Sequence, residues 1–266
     1  SHKIGVSANA EQFTQYENSI IWCDDSGTAA NNRVAMVYRD FGNDRYLAVQ
    51  IGQYIAADEQ VVWGPRTLIH SAAVDGVRAV WDKTRDRIII TYVLASTGDL
   101  HSLVYAIDTG ETGQDSVVVT AGNTAPATAQ LAVDVSDLSL SAVQNRIGLV
   151  ANCDDTDGNA GHVLVTFECG TRIKAAVGIP SGTYFNTVTW AAVQVVDDDA
   201  NRYNDSLAWD TNIDRGISTY YGSSSTDLHY RVIEIEDDDT ITAGSQGEIG
   251  TAATPLGITA GTSVVF

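Results

Sequence analysis

Short apolar runs separated by polar turn residues make up most of the chain. The runs are rich in Val, Ile, Thr and Tyr, as in Arg33–Tyr38, Arg87–Tyr92 and Leu103–Ile107, and clusters of Gly, Asp, Asn and Ser lie between them. Such runs are typical of strands joined by turns, whereas an amphipathic helix would repeat its apolar positions every 3.6 residues. That helical period is almost absent, so the pattern predicts an all-β fold.

The runs belong to an internal repeat. The segment Trp81–Tyr92 contains a Trp-Asp, a polar turn, an Asp-Arg and an apolar run ending in Tyr, and Trp209–Tyr220 has the same frame. We assign a third copy to Leu140–Ala151, which lacks the Trp-Asp and the Tyr, and a fourth to Trp22–Tyr38, which carries an insertion of five residues. An Asn or Asp precedes the Arg in every copy. The frame predicts a hairpin in which one strand ends at Trp-Asp and the next begins at Arg.

The repeat continues beyond the hairpin with a third and a fourth strand. The third opens on a polar–aromatic pair, and the fourth follows a variable loop. The third-strand starts are Asp44–Tyr46, Asp99–His101, Asp227–His229 and, loosely, Asn159–His162; two of the fourth strands are Val61–Ile69 and Val188–Val196. Four strands per repeat is the pattern of a β-propeller blade.

The spacing of the repeats indicates the number of blades. The landmark residues Arg33, Arg87, Arg146 and Arg215 are 54, 59 and 69 positions apart. We predict one propeller domain over residues 1–266, with four blades at roughly 13–70, 71–130, 131–198 and 199–266; five blades, one of them degenerate, is the alternative. The C-terminal Gly261–Phe266 has the pattern of an outer strand. The ring is therefore expected to close by joining the N- and C-terminal strands.

The charge and composition of the chain limit the classes of partner that it is expected to bind. The chain has 34 acidic and 15 basic residues and a formal net charge of −19, which disfavours binding to nucleic acid or to anionic membranes. No apolar run approaches the roughly 20 residues of a membrane-spanning helix, so membrane insertion is not expected; the first residues lack the apolar region of a signal peptide. The three cysteines are too few for a disulfide framework, although Cys153 and Cys169 remain a possible pair.

The repeat resembles those of propeller proteins from bacteriophage tail fibres and other virion-associated proteins. The matching segments are Trp81–Tyr92, Trp209–Tyr220 and Gly261–Phe266, and the third copy departs from the family pattern. The resemblance spans most of the chain. It implies a structural or host-recognition role on a virion, hence an extracellular location and, as partners, other virion or tail proteins in an oligomer and a host surface glycan. It supplies no catalytic motif.

Two tryptophans outside the repeat landmarks are candidate ligand-binding residues. Trp63 and Trp190 precede predicted outer strands, and a flat indole can stack on the C–H face of a sugar; ordinary packing is the alternative. For Trp81 and Trp209 we expect packing between blades, with the Asp that follows each Trp capping a turn.

One loop has the composition of a cation site. Asp155, Asp157 and Asn159 alternate around Gly158, as oxygen ligands do in Ca²⁺ loops, but the later Glu of an EF-hand is missing. We expect no required cofactor, with Ca²⁺ as the candidate ion, although such loops also form plain turns. The acidic runs Asp197–Asp199 and Asp237–Asp239 are expected to be solvated loops.

The positions of the histidines and the absence of known catalytic motifs also bear on function. His101, His162 and His229 occupy similar places in their repeats, which predicts either a shared ring of ligands or, more simply, cross-strand pairing at each strand start. The sequence has no nucleophile elbow, zinc-protease, P-loop or dinucleotide-binding motif. We therefore expect no catalytic residues and a non-enzymatic role; a propeller-fold glycosidase or lyase is the alternative.

Overall fold

The computed structural model describes residues 18–23, 33–107, 130–133, 143–153, 161–170, 172–181, 187–198, 202–222 and 228–249. Within these ranges the protein consists of curled antiparallel sheets and contains no α-helix. The prediction of an all-β fold is therefore confirmed. In the same ranges, no helix has the length and apolar character needed to cross a membrane.

Seventeen strands and one short 3₁₀ turn (Phe41–Asn43) are present in the described ranges. The strands are β1 (Asn18–Cys23), β2 (Arg33–Asp40), β3 (Tyr46–Ile55), β4 (Gln60–Asp82), β5 (Arg87–Leu94), β6 (Leu100–Ala106), β7 (Gln130–Val133), β8 (Val143–Cys153), β9 (His162–Cys169), β10 (Arg172–Ser181), β11 (Thr187–Trp190), β12 (Gln194–Asp197), β13 (Arg202–Asp210), β14 (Arg215–Gly222), β15 (Leu228–Ile235), β16 (Ile241–Ala243) and β17 (Gly247–Glu248).

The chain divides into two compact units. The first comprises residues 1–96, 101–130 and 181–187, and the second comprises 97–100, 131–180 and 188–266.

In the first unit, strands β1 to β6 are hydrogen-bonded in chain order. The long strand β4 belongs to two successive meanders, since it pairs with β3 up to Ala73 and with β5 from Val74 onward. Alternate residues of both meanders enter one apolar core, as the two-residue period of a strand requires. Its members include Ala35, Val37, Leu47, Val49 and Ile51 from the first meander and Ile88, Ile90, Tyr92, Leu103 and Tyr105 from the second.

The second unit also packs two successive meanders around one core, although its meanders are separate sheets. Strands β8 to β11 form one sheet, with β12 also paired to β10, and β13 to β16 form another, with β17 paired to β15. One apolar core again takes residues from both sheets. It includes Cys153, Leu164, Ile173, Ala175 and Val177 from the first sheet and Leu207, Tyr220, Ile233 and Ile235 from the second.

The predicted hairpins form at three of the four repeat copies. Asp82 lies opposite Arg87, Asp210 opposite Arg215, and Cys23 opposite Arg33. The Asp of each Trp-Asp caps its turn as expected, since Asp82 accepts the backbone N–H of Thr84 at 3.1 Å and Asp210 that of Asn212 at 2.9 Å. These two hairpins are the clearest success of the repeat pattern.

Backbone geometry explains the residue that precedes each of these arginines. Asp86 and Asp214 have φ angles of 53° and 54°. This left-handed conformation is uncommon outside Gly but tolerated by Asn and Asp, whose short polar side chains bond locally. The recurring Asn/Asp-Arg is therefore a turn requirement at these two copies.

The third copy was placed at the wrong residues. Arg146 lies inside β8 rather than at a strand start, and the hairpin of that sheet instead joins Cys153 to His162, which are directly opposite each other. Cys153 ends its strand opposite His162 as Cys23 ends β1 opposite Arg33. The sequence assignment failed because Leu140–Ala151 matched the frame only at its Arg, with no Trp-Asp or Tyr to fix the alignment.

With this correction, the second unit repeats the first. Equivalent residues are 126 to 130 positions apart, as for Gly52 and Gly178 or Cys23 and Cys153. Contacts between equivalent residues also recur in the two units. The backbone N–H of Ala79 donates to Ser19 Oγ at 3.0 Å in the first unit, and the equivalent Gly148 and Leu207 approach so closely that a Cβ on Gly148 would lie 2.6 Å from Leu207 Cβ.

The cysteine pair left open by the sequence does not exist. Cys23, Cys153 and Cys169 are all buried, and none of them forms a disulfide. Cys153 lies opposite the first residue of β9, and Cys169 is its last. Seven residue steps of an extended strand span about 23 Å, whereas the Cα atoms of a disulfide are usually about 4.4–6.8 Å apart.

Candidate functional site

Trp63, the first candidate ligand-binding residue, lies on β4 directly opposite Gly52 of β3. Its indole covers that glycine, because a Cβ placed on Gly52 would be 3.0 Å from the ring and 2.5 Å from Val61 Cγ1. The ring is half-buried and packs against the cluster of Met36, Tyr38 and Ala48. The remaining part of the indole is accessible to a ligand.

Trp190, the second candidate, repeats this arrangement in the second unit. It ends β11, and its ring covers Gly178 of β10, where a Cβ would lie 2.9 Å from the indole and 2.6 Å from Val188 Cγ1. Trp190 is also half-buried. The two tryptophans are therefore equivalent residues in equivalent surroundings, which the sequence reading had not recognised.

Aromatic rings cover glycines elsewhere in the second unit. Trp209 lies over its cross-strand partner Gly216, and Tyr230 over Gly247. An aromatic side chain beside a strand glycine fills the space left by the missing side chain. Packing is thus one established role of Trp63 and Trp190, and a ligand would use what the packing leaves exposed.

The pairing of β1 to β4 places a further tryptophan on the Trp63 face. Trp22 pairs with Val34, Val34 with Gly52, and Gly52 with Trp63, so all four residues share one side of the sheet. Three strand spacings put Trp22 about 14 Å from Trp63. Trp22 is 46% exposed. We call Trp22, Tyr54 and Trp63 the aromatic face of the first unit.

Tyr54 completes the aromatic face. Its ring meets that of Trp22 edge-on, with centroids 5.5 Å apart, a geometry favoured by the charge distribution of aromatic rings. The sequence reading missed both Trp22 and Tyr54, because only strand register shows that residues 32 positions apart lie side by side. The aromatic face is partly exposed and offers apolar ring surface to a ligand.

The other two tryptophans behave as expected. Trp81 packs against the core of the first unit and Trp209 against that of the second, although both remain partly accessible. Their predicted packing role is confirmed within each unit, with less complete burial than the sequence indicated.

The histidines form separate local pairs. His101 stacks on Tyr92 at 5.7 Å between centroids, His229 stacks on Tyr220 at 6.1 Å, and His162 Nε2 lies 3.0 Å from Asp239 Oδ1. The contacts of His101 and His229 match the cross-strand alternative, whereas His162 contacts the turn after β15.

The Ca²⁺ candidate loop of Asp155, Asp157 and Asn159 lies outside the described residues and stays a prediction. Among the residues that are described, no group of three or more His, Cys, Asp and Glu side chains is arranged to hold a metal ion.

One acidic residue was wrongly expected to be solvated. Asp197 ends β12 and is only 2% exposed, whereas Asp198, Asp237 and Asp238 are exposed as predicted. The carboxylate of Asp197 accepts the hydroxyl of Tyr220 at 2.5 Å and Nε of Arg231 at 3.1 Å. The error arose because these partners lie on strands distant in sequence.

The buried Asp197 carboxylate affects its neighbours. Burial and the nearby Asp197 charge raise the pKa of Tyr220, so this phenol is a neutral donor at physiological pH. Arg231 also donates to the carbonyl of Gly244 at 2.6 Å. The hydrogen bonds of this group therefore link β12, β14, β15 and Gly244, which follows β16, and their role is structural.

No protein-family model matches the chain, and no curated protein sequence matches it.

Proposed function

We propose that the chain is a non-enzymatic β-propeller of a virion or phage tail, with a structural or host-glycan-binding role. The blade assignment is the one predicted from the repeats, with four blades closed by the terminal strands. The protein would act outside the cell, in an oligomer with other virion or tail proteins.

The observation that carries the propeller proposal is the path of β4. This strand closes one meander against β3 and opens the next against β5, with the change of partner between Ala73 and Val74. In a propeller, the chain passes from the outer strand of one blade to the inner strand of the next. Both units also pack two successive meanders around one shared core, as neighbouring blades do.

The aromatic face supports a glycan as ligand. Half-exposed rings on a rigid sheet offer flat apolar surfaces at low entropic cost, and Trp190 offers an equivalent ring in the second unit. A chain with a net charge of −19 repels anions. We therefore propose neutral sugars as the recognised class, with Trp63 and Trp190 as binding residues.

A glycan array followed by isothermal titration with the best hit tests this role. Trp63→Ala and Trp190→Ala are expected each to weaken sugar binding at least tenfold. The matched controls Trp81→Ala and Trp209→Ala remove core indoles and should lower stability while leaving the affinity of the folded fraction unchanged. Binding that survives the double variant at Trp63 and Trp190 would refute the assigned site.

Incubation with the bound glycan separates binding from catalysis. We expect no new reducing ends and no unsaturated products over a day. Release of either product would instead favour the alternative, a glycan-processing enzyme.

A further inference from the structure

Three aromatic side chains form a cluster in the first unit. Tyr92 of β5 lies next to His70 of β4 and His101 of β6, with ring centroids 5.1 Å and 5.7 Å away. His101 is nearly parallel to the tyrosine, at 15°, and His70 is tilted by 44°. Tyr92 is fully buried, and its hydroxyl donates no hydrogen bond to any described residue. We call these residues the histidine cluster.

The second unit holds different chemistry at the equivalent positions. Tyr220 and His229 correspond to Tyr92 and His101, each 128 positions later, and Asp197 occupies the place of His70. Register confirms the last equivalence, since His70 pairs with Leu47 and Asp197 with the equivalent Ile173. There the tyrosine hydroxyl has a carboxylate acceptor.

A fourth equivalent position, Leu103 in the first unit and Arg231 in the second, also differs in charge. Arg231 compensates the charge of Asp197 in the second unit, and its equivalent in the first unit is the buried apolar Leu103. The second unit thus pairs its buried carboxylate with an arginine, whereas the first places half-buried imidazoles beside apolar residues. Among the described residues His70 lies against no carboxylate, so a proton on its imidazole would place an uncompensated charge there.

The surroundings of His70 oppose that charge. Burial, and then the positive charge of His101, lower the pKa of His70. Among the described residues, the titratable groups that face His70 are Tyr92 from β5 and His101 from β6. Tyr105 of β6 lies near Thr67, which is on the same strand as His70. Burial raises the pKa of both tyrosines, so neither supplies a negative charge.

We propose that the histidine cluster is an acid-sensitive contact that loosens the first unit while the second stays closed. The folded state binds the His70 proton less readily than the unfolded state. The contribution of His70 is therefore fully present above its ordinary pKa of 6.5 and is lost as the pH falls from there toward the lower folded value. This device is independent of the glycan-binding proposal.

Hydrogen exchange followed by mass spectrometry tests the device on the whole chain. Exchange is compared at pH 7.5 and 5.5 after correction for the chemical rate, using peptides from β4 to β6 and from β13 to β15. We expect protection of the first group to fall, by at most about tenfold at pH 5.5, because this pH is one unit below the ordinary His70 pKa of 6.5. Protection of the second group should change less than about twofold.

Exchange of the clusters between units provides the matched variants. His70→Asp with Leu103→Arg should abolish the pH response of the first unit, and Asp197→His with Arg231→Leu should create one in the second. His70→Gln is the milder variant if the exchanged clusters prevent folding, and it should also abolish the response. Equal loss of protection in both units of the unaltered protein, or a full response in His70→Gln, would overturn the proposal.

Discussion

The two units bury equivalent tyrosines, Tyr92 and Tyr220, among side chains of different chemistry. In the first unit, Tyr92 lies between two imidazoles, whereas Tyr220 of the second donates to a carboxylate that an arginine also binds. The strands, the glycines and the tryptophans around them correspond. The comparison shows that this fold fixes where a buried polar group lies but leaves its chemistry free to vary.

The same comparison separates packing residues from exchangeable ones. Gly52 and Gly178 each accommodate a Val and a Trp from the neighbouring strand within 3.0 Å of where a Cβ would be, and both units retain the whole set. Arg33 and His162, by contrast, occupy equivalent strand starts with different side chains. The packing positions therefore keep the same side-chain volumes in both units, whereas the strand-start positions differ in charge.

The largest expected difference between the units concerns the buried carboxylate. Asp197→Ala should lower the free energy of unfolding by about 3–5 kcal/mol, because it leaves Arg231 without its buried partner. His70→Ala at the equivalent position should cost only about 1 kcal/mol, the value of an aromatic contact. Urea unfolding at pH 7.5 measures both, and equal losses would show that the two clusters do not differ as described.

Removing the core tryptophans should affect the units alike. Trp81→Ala and Trp209→Ala should each cost about 2–4 kcal/mol, somewhat less than a fully buried tryptophan, since both rings remain partly accessible. Thermal melts of the two variants make the comparison. A loss confined to one of them would contradict the equivalence of the two cores.

The glycines beneath the tryptophans should tolerate no side chain. Gly52→Ala and Gly178→Ala would place a Cβ 2.5 Å and 2.6 Å from a valine methyl, and we expect each to cost about 1–3 kcal/mol. Gly244→Ala is the control, because its nearest neighbour would be at an ordinary 3.5 Å. If chemical denaturation finds all three equally stable, the close packing is not real.

The smallest effect is expected at an equivalent exposed pair. Leu68 and Val195 are 43% and 45% exposed, so replacing either with Ser should change stability by less than about 0.5 kcal/mol. A larger change in one unit, measured by denaturant titration, would reveal a covering contact at that position.

Local pattern in the sequence predicted the strands and two hairpins well, because Trp-Asp, a turn and Asp-Arg are consecutive residues. It missed the period of the duplication, because the hairpin loops after Cys23 and Cys153 are longer than those after Asp82 and Asp210 and shift the frame. The shared Cys-Asp-Asp at residues 23 and 153 was the signal that would have corrected it. Partners such as Asp197 and Arg231 depend on register between distant strands, which no local pattern specifies.

Engineered disulfides test the central claim, that both units repeat one hairpin arrangement, most directly. Directly opposed strand residues have Cβ atoms about 4.5–5.5 Å apart, close to disulfide distance. Arg33→Cys should therefore oxidise with the native Cys23, and His162→Cys with Cys153. Peptide mapping by mass spectrometry without reduction is expected to find both bridges. Failure of His162→Cys to bridge to Cys153 while Arg33→Cys bridges to Cys23, or a bridge to Cys169 instead, would contradict the repeat.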